Sequence, residues 1–204
     1  MCGIAGFVDF ENLTDKKLLE NMTDVVYHRG PEYSGYYFHR DSRKRMGLGH
    51  RRLSILDLSK HGHQPMSYES YEIIFNGEVY NFKDIRDELI RHDYVFESGS
   101  DTEVILKAFH KWGVKSAEKF NGMFAIAIYD KACNKLTLIR DRLGKKPLYY
   151  FKGSECFVFS SELKSIMLYP KFEKIISKMA LNMFWCTPAL LSLAKPRVRF
   201  IGLF

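Results

Sequence analysis

The chain has 204 residues, 46% of them hydrophobic, and its net charge of +7 comes from basic residues that are scattered rather than grouped. This length suits one domain with a sizeable core, and the absence of a recognition motif beside the basic charge argues against a nucleic-acid partner. The four cysteines form no Cys-x-x-Cys pair, and the sequence has neither a leader-like start nor a membrane-length apolar run, so we expect a cytoplasmic protein that does not enter a membrane.

In the first half of the chain, hydrophobic periodicity predicts a strand followed by a helix that Thr14 caps at its N-terminus. Further strands are then predicted, followed by a second helix. In chain order these elements are a strand at 3–10, a helix at 15–26, strands at 35–39, 46–56 and 71–75, and a helix at 82–91.

In the second half, a helix over 101–112 is predicted to open with a capping box formed by Ser100 and Glu103. Ser161 is predicted to cap a final helix that runs to residue 169. The strands predicted between these two helices are 122–129, 136–140, 148–151 and 157–161.

The grouping of these elements predicts the fold class. Residues 123–128 are apolar at every position, which indicates a strand covered on both faces. The helices come in groups between groups of strands, which favours two stacked sheets faced by helices over a doubly wound sheet. We therefore predict an α+β fold, a four-layer αββα sandwich of two antiparallel sheets.

Cys2 is the first residue with a chemical interpretation. Once Met1 is removed, the α-amine of Cys2 lies beside its own thiol, and an α-amine with a pKa of about 7.7 to 8.0 can accept the thiol proton near neutral pH. Taken alone, Met-Cys is more often a chance pair. Gly3 and Gly6 strengthen the catalytic interpretation because they leave the backbone uncrowded for a substrate.

Seven sequence blocks, in order and in spacing, resemble the N-terminal glutaminase domain of glutamine-hydrolysing asparagine synthetases. That domain is a class II glutamine amidotransferase and an N-terminal nucleophile hydrolase with an αββα fold. The resemblance covers residues 1–184. The blocks are MCGIAGF, HRGPEYSG, GHRRLSILDLS, FNGEVYNF, SGSDTEVIL, GMFAIAIYD and RDRLGKKPLYY.

The resemblance implies a role for each matching residue. The nucleophile falls on Cys2, the arginine that binds the substrate carboxylate on Arg52, the oxyanion donors on Asn76 and Gly77, and the aspartate that binds the substrate ammonium on Asp101. It also implies that glutamine lies against a further set of residues, namely Leu53, Ser54, Ile55, Leu56 and Glu78.

Each role has an ordinary structural alternative. Arg52 offers a planar fork suited to a carboxylate, but it also reads as a surface arginine beside Arg51. Asn76-Gly77 between apolar runs is the strongest short-range signal for a type I′ hairpin turn. Asp101 is favourable at a helix N-terminus whether or not it binds a substrate, and both roles can hold together.

Two other motifs carry less weight. Residues 98–102 resemble the pyrophosphate-binding loop of ATP pyrophosphatases but are one residue short of its spacing. His61 and His63 have the spacing of metal ligands, yet no carboxylate or cysteine lies nearby, so we assign no metal.

Residues 1–184 are therefore predicted to be a glutaminase domain, and residues 185–204 an atypical tail in place of a synthetase domain. The glutaminase reaction needs no cofactor, since ATP and Mg belong to the synthetase domain that the chain lacks. The expected partners are L-glutamine and a synthetase domain or subunit in trans, and the resemblance leaves room for a homodimer.

Two other functions remain open at this point. One is a class II amidotransferase that feeds a sugar-phosphate or phosphoribosyl acceptor, although the block RDRLGKKPLYY favours the asparagine synthetase branch. The other is a non-catalytic remnant or binding module. A remnant has no physical reason to keep the five residue types Cys2, Arg52, Asn76, Gly77 and Asp101.

Overall fold

The computed structural model describes residues 1–54, 62–175 and 199–203. Within these ranges the strands form two five-stranded sheets in which every neighbouring pair is antiparallel. The first sheet has the order β2 (Tyr33–Arg40), β3 (Arg45–Arg52), β1 (Gly3–Asp9), β9 (Cys156–Ser160) and β8 (Tyr149–Lys152).

The second sheet places the wholly apolar segment predicted from the sequence near its centre. This segment lies in β6, which pairs with β5 on one side and β7 on the other. The order of the sheet is β10 (Arg199–Leu203), β7 (Lys135–Arg140), β6 (Gly122–Asp130), β5 (Tyr71–Val79) and β4 (Met66–Tyr68).

Helices cover the outer face of each sheet. On the first sheet lie α1 (Lys16–Asp24) and α5 (Leu163–Ile166). On the second lie α2 (Phe82–Ile90), α3 (Asp101–Trp112) and α4 (Ser116–Lys119). Short 3-10 turns occupy Tyr27–Arg29 and Gly113–Lys115.

Buried side chains form three apolar layers. The middle layer joins Ile4 and Leu48 of the first sheet to Ile74 and Ala127 of the second. One outer layer packs α1 and α5 against the first sheet, and the other packs α2 and α3 against the second. The described part of the chain is thus an αββα sandwich, which confirms the predicted fold class.

The helix caps differ from the sequence predictions in detail. Asp15, and not Thr14, caps α1, because its Oδ1 accepts the Leu18 N–H at 2.7 Å. Thr14 is buried and donates its N–H to Asp9 Oδ2 at 2.8 Å. The last helix begins after Glu162, so the predicted cap at Ser161 is wrong.

At the start of α3, only one of the two hydrogen bonds of the predicted capping box forms, the one made by Ser100. The Ser100 side chain accepts the Thr102 N–H at 3.1 Å, as an N-cap does. The Glu103 carboxylate instead accepts the N–H groups of Glu97 and Ser98, at 3.0 and 2.7 Å. It thereby ties down the loop before the helix.

The predicted strand at 71–75 continues to Val79, so Asn76 and Gly77 lie within β5 and pair with Ala125 and Phe124 of β6. The hairpin interpretation of Asn-Gly is therefore wrong. Nothing in the local sequence distinguishes the two outcomes, since only the pairing with β6 extends the strand.

Two further segments qualify the sequence predictions. The strand predicted at 46–56 ends at Arg52, and residues 55–56 lie outside the described residues. Arg199–Leu203, in the predicted tail, pairs with β7 as an edge strand. In the described ranges, no helix is long and apolar enough to cross a membrane.

Candidate active site

Cys2 lies immediately before β1, a strand flanked by β3 and β9 in the first sheet. Its Sγ is 3.4 Å from the Leu53 N, which donates to it, and 3.5 Å from the Leu53 O. Burial raises the pKa of the thiol, and the hydrogen bond with Leu53 and the charge of Arg52 partly offset that rise.

Residues far away in sequence fix the start of β1. Arg29 donates from Nε to the Cys2 carbonyl at 2.9 Å and forms an ion pair with Glu162 at 3.1 Å. Ser161 accepts the Ile4 N–H at 3.0 Å. The sequence analysis missed Arg29 and Ser161 as site residues, because their roles depend on contacts across the whole fold.

Gly77 is placed by the alternation of β5. Phe75 and Val79 follow the part of β5 that pairs with β4. The Phe75 N–H donates to Gln64 Oε1 at 2.6 Å, and the Val79 N–H donates to Asp101 Oδ2 at 3.1 Å. Because alternate N–H groups of a strand point to the same side, the Gly77 N–H lies between these two and faces the same way. Gln64 is, after Arg29 and Ser161, a third site residue that was not predicted from the sequence.

Asn76 is fully buried, and within the described ranges neither its Nδ2 nor its Oδ1 has a hydrogen-bond partner. A buried amide without a partner costs free energy, which makes it unusual as a purely structural group. A Cβ at Gly77 would collide with the Met123 carbonyl. Glycine is thus required here for close packing against β6.

Asp101 is 5% exposed and begins α3. Burial raises its pKa to about 6, and the nearby charge of Glu78 adds to that rise, while the N–H of Val79 opposes it. Arg52, at the end of β3, is 6% exposed. The two sheets therefore bring a buried cation and a buried carboxyl group to one site.

These groups line one cleft of about 240 Å³. Of the residues predicted to bind or act on a substrate, Ile55 and Leu56 lie outside the described residues. Lys146 also lines the cleft and was not predicted. The lining includes Cys2, Arg52, Leu53, Ser54, Asn76, Gly77, Glu78 and Asp101, together with Met1, Gln64, Met123 and Lys146.

His50 is a buried histidine two residues before Arg52, which lines the cleft, but it does not have the properties of a general base. Its Nε2 hydrogen-bonds the Phe75 carbonyl at 3.1 Å, and the residue is fully buried. Burial lowers its pKa to about 3, so the ring is neutral at physiological pH. Its hydrogen bond instead joins β3 to β5 across the two sheets.

Neither alternative motif gains support from the described residues. In residues 98–102, the Ser98 N–H and hydroxyl are taken by the Glu103 carboxylate at 2.7 and 2.6 Å, so the loop does not present the Ser98 N–H to a phosphate. His63 stacks on Tyr33 with ring centroids 3.7 Å apart, and His61 lies outside the described residues.

The four-layer sandwich, with a thiol just before a central strand and a buried amide on the facing sheet, has the architecture of the N-terminal nucleophile hydrolase class. A family model described as a glutamine amidotransferase domain matches residues 1–198. The chain therefore belongs to the glutamine amidotransferase family.

Its relatives carry the same assignment. It is 41% identical to asparagine synthetase [glutamine-hydrolyzing] 1 of Bacillus subtilis over 174 residues, which are 82% of this chain and 27% of that protein. It is 38% identical to asparagine synthetase [glutamine-hydrolyzing] 3 of the same organism over 188 residues, 89% of this chain and 30% of that protein. The chain thus spans less than a third of the length of these two relatives.

Among solved structures, the glutamine phosphoribosylpyrophosphate amidotransferase of Bacillus subtilis superposes with a TM-score of 0.69. The match covers 82% of this chain and 43% of that chain at 19% identity, so it concerns the fold alone. It agrees with the αββα architecture.

Proposed function

We propose that this domain releases ammonia from L-glutamine through a thioester on Cys2. The observation that carries the proposal is the convergence of Cys2, Arg52, Asn76 and Asp101 on one cleft of about 240 Å³. Glutamine presents an ammonium, a carboxylate and a neutral amide, and the cleft offers a complementary group for each.

Binding uses the two ionisable groups. The Arg52 guanidinium binds the substrate carboxylate through its planar fork, and the Asp101 carboxylate binds the substrate ammonium. Both groups are almost fully buried, so each gains strength from the low local dielectric once it is paired. Leu53, Ser54 and Glu78 contact the substrate between these points. The resemblance also assigns Ile55 and Leu56 to glutamine binding, and they lie outside the described residues.

The reaction begins when the Cys2 α-amine accepts the thiol proton and the thiolate attacks the amide carbon of glutamine. Negative charge then moves to the amide oxygen. The Asn76 Nδ2–H and the Gly77 N–H donate to that oxygen, as in other oxyanion holes. The backbone of both residues pairs with β6 and the Asn76 side chain is fully buried, so the donors need little reorganisation when the charge develops.

The intermediate collapses when the amine returns its proton to the leaving nitrogen, which departs as ammonia and leaves a thioester. Water, deprotonated by the same amine, attacks the thioester carbonyl, and glutamate leaves as the Cys2 thiol is restored. Nucleophile, base and oxyanion donors all come from the protein. We therefore propose that the reaction needs no cofactor, and EDTA should leave the rate unchanged.

The test is ammonia release by the chain with and without Met1, verified by mass spectrometry. Met1 lines the cleft and buries the Cys2 nitrogen in a peptide bond, so only the chain that has lost Met1 should hydrolyse glutamine. Cys2→Ala, with Met1 likewise absent, should release none while keeping the thermal midpoint of the parent. Turnover by the alanine variant would overturn the assignment of the nucleophile.

We further propose that the ammonia is used in asparagine or related amide synthesis by a synthetase domain or subunit. The support is the similarity to asparagine synthetases, of which this chain spans less than a third. The test mixes the chain with an asparagine synthetase whose own glutaminase cysteine is replaced. Glutamine-dependent asparagine formation should return, and ammonia release without asparagine would contradict this step alone.

A further inference from the structure

Lys146 is a buried ammonium that the proposed reaction has not used. It is 4% exposed and lines the cleft beside Met1 and Cys2. Its Nζ lies 3.2 Å from the Met1 Sδ, a weak acceptor. Within residues 1–54 and 62–175, no carboxylate lies within ion-pair distance of it.

The backbone of Lys146 is held firmly. Its N–H donates to Asp141 Oδ2 at 2.9 Å, and its carbonyl accepts from Arg140 Nε at 2.8 Å. The same Asp141 oxygen accepts the Phe124 N–H from β6 at 3.2 Å. The side chain therefore starts from a fixed point on the second sheet and reaches towards the chain end on the first.

A buried ammonium without an anion is unfavourable, which makes a purely structural role for Lys146 a poor explanation. Its contact with Met1 shows where the charge lies in the chain that keeps Met1. The Met1 Sδ is joined to the Cys2 nitrogen by a few covalent bonds, so Nζ lies within roughly 9 Å of the nitrogen that becomes the α-amine when Met1 is lost.

We propose that Lys146 is a positioning residue for the catalytic base, whose charge keeps the Cys2 α-amine neutral and ready to accept the thiol proton. The inference rests on the proposed function and deepens it. A cation beside an amine disfavours a second positive charge on it, and the same cation favours the thiolate. The second effect opposes the burial that raises the pKa of the thiol, in the same direction as the charge of Arg52.

The other charged groups around Cys2 do not replace the positive charge of Lys146. Arg29 donates to the Cys2 carbonyl and is paired with Glu162. Arg52 is assigned to the substrate carboxylate, which offsets its charge in the complex. Asp101 and Glu78, across the cleft, are acidic and act in the opposite direction on the amine.

The experiment compares pH profiles for the chain without Met1. Lys146→Met should move the acid limb of kcat for glutamine up by about one pH unit, which lowers kcat roughly fivefold at pH 7 and leaves it nearly unchanged at pH 9. KM should change little. Lys146→Arg should keep the parent profile, and Lys145→Met, which removes the exposed neighbour, is the matched control.

A second measurement avoids activity altogether. The pH dependence of Cys2 alkylation by iodoacetamide should shift upward in Lys146→Met in parallel with the kinetic limb, and Lys146→Gln substitutes if the methionine variant does not fold. If the acid limb of the kcat profile does not shift in a folded variant, or if only KM rises, the proposed role of Lys146 is overturned. Failure of the parent chain to release ammonia would instead overturn the proposed function.

Discussion

Asn76 combines full burial with an amide that has no hydrogen-bond partner in the described part of the chain. In the proposed reaction its donor meets a charge that exists only in the intermediate, so Asn76→Ala should lower kcat about 100- to 1000-fold with little change in KM. Since the amide makes no hydrogen bond in the described part of the chain, the substitution removes only packing contacts, and the thermal midpoint should fall only by the amount that their loss causes. Steady-state kinetics and a thermal melt together check this, and an unchanged kcat would remove Asn76 from the oxyanion hole.

Asp101 should make glutamine binding depend on pH. Its pKa is raised to about 6 by burial, so the carboxylate that is proposed to bind the substrate ammonium is present above pH 6 and is lost below it. KM for glutamine should therefore rise about tenfold between pH 7 and pH 5. Asp101→Asn should show a high KM that is flat over this range. An equally flat KM in the parent would contradict the assignment.

Ionisation of the Asp101 carboxyl group should lower the free energy of unfolding. Its pKa is higher in the folded chain than the ordinary 3.8, so ionisation opposes folding above pH 6, and the cost vanishes below about pH 4. Asp101→Asn should raise the free energy of unfolding by about 2 to 3 kcal/mol at pH 7 and by nothing at pH 3.5. Denaturant melts at the two pH values measure this. Asp84→Asn, in the exposed first turn of α2, is the control.

Sequence reasoning reached the residues whose motifs are local and missed those that act at a distance. Cys2 and Asp101 were assigned because each lies in a recognisable block. Ser161 contacts Ile4 across 157 positions, and no pattern in either segment encodes that contact. Lys146 lies in the block RDRLGKKPLYY, but the sequence does not indicate that a charged side chain in a turn is buried against Met1.

At the scale of elements, Asp141 organises the turn that precedes β8. Its two carboxylate oxygens accept four backbone N–H groups at 2.9 to 3.2 Å, those of Phe124, Leu143, Lys145 and Lys146. The turn thus has one central acceptor, which is 4% exposed. Its loss would leave several N–H groups without a partner.

Asp141→Ala should therefore destabilise the domain by about 3 kcal/mol and lower Tm by roughly 10 °C. The matched control is Asp41→Ala, which removes a carboxylate that accepts the N–H groups of Arg43 and Lys44 in the turn between β2 and β3. That turn is partly exposed, so water can replace the lost acceptor. Equal effects of the two substitutions would show that burial of the acceptor does not matter.

The strands were predicted well where apolar alternation or continuity is strong, as in β1 and β6, and their ends were not. The strand β5 runs past Asn76-Gly77 because pairing with β6 outweighs a local turn signal. The cap of α1 is similarly a tertiary result. Thr14 is drawn into the core by Asp9, which leaves the capping position to Asp15.

At the scale of the whole molecule, the tail contributes the strand that pairs with β7 at one edge of the second sheet. The described cleft residues all precede residue 185, so truncation after Phe184 should preserve glutamine hydrolysis with an unchanged KM. The sequence also predicts a tail that promotes association. In the structure, however, Arg199–Leu203 covers β7, and its removal should open a sheet edge and lower the monomer fraction.

Size-exclusion chromatography of the truncated chain checks this prediction. Gly202→Pro in the full chain removes one N–H from the edge strand without shortening the protein, and it should lower the monomer fraction in the same direction. A truncated domain that unfolds would show that the tail belongs to the core. A higher monomer fraction would show that the edge pairing does not protect the sheet.

The position of the thiol before β1 also limits how such a domain can be joined to others. Any residue fused ahead of Cys2 would convert its amine to an amide and place new atoms beside the cleft that Met1 already lines. Under the proposed mechanism, a carrier, tag or second enzyme that stays attached must therefore be joined through the opposite terminus. The free amine of one residue then sets the direction in which a larger enzyme is assembled.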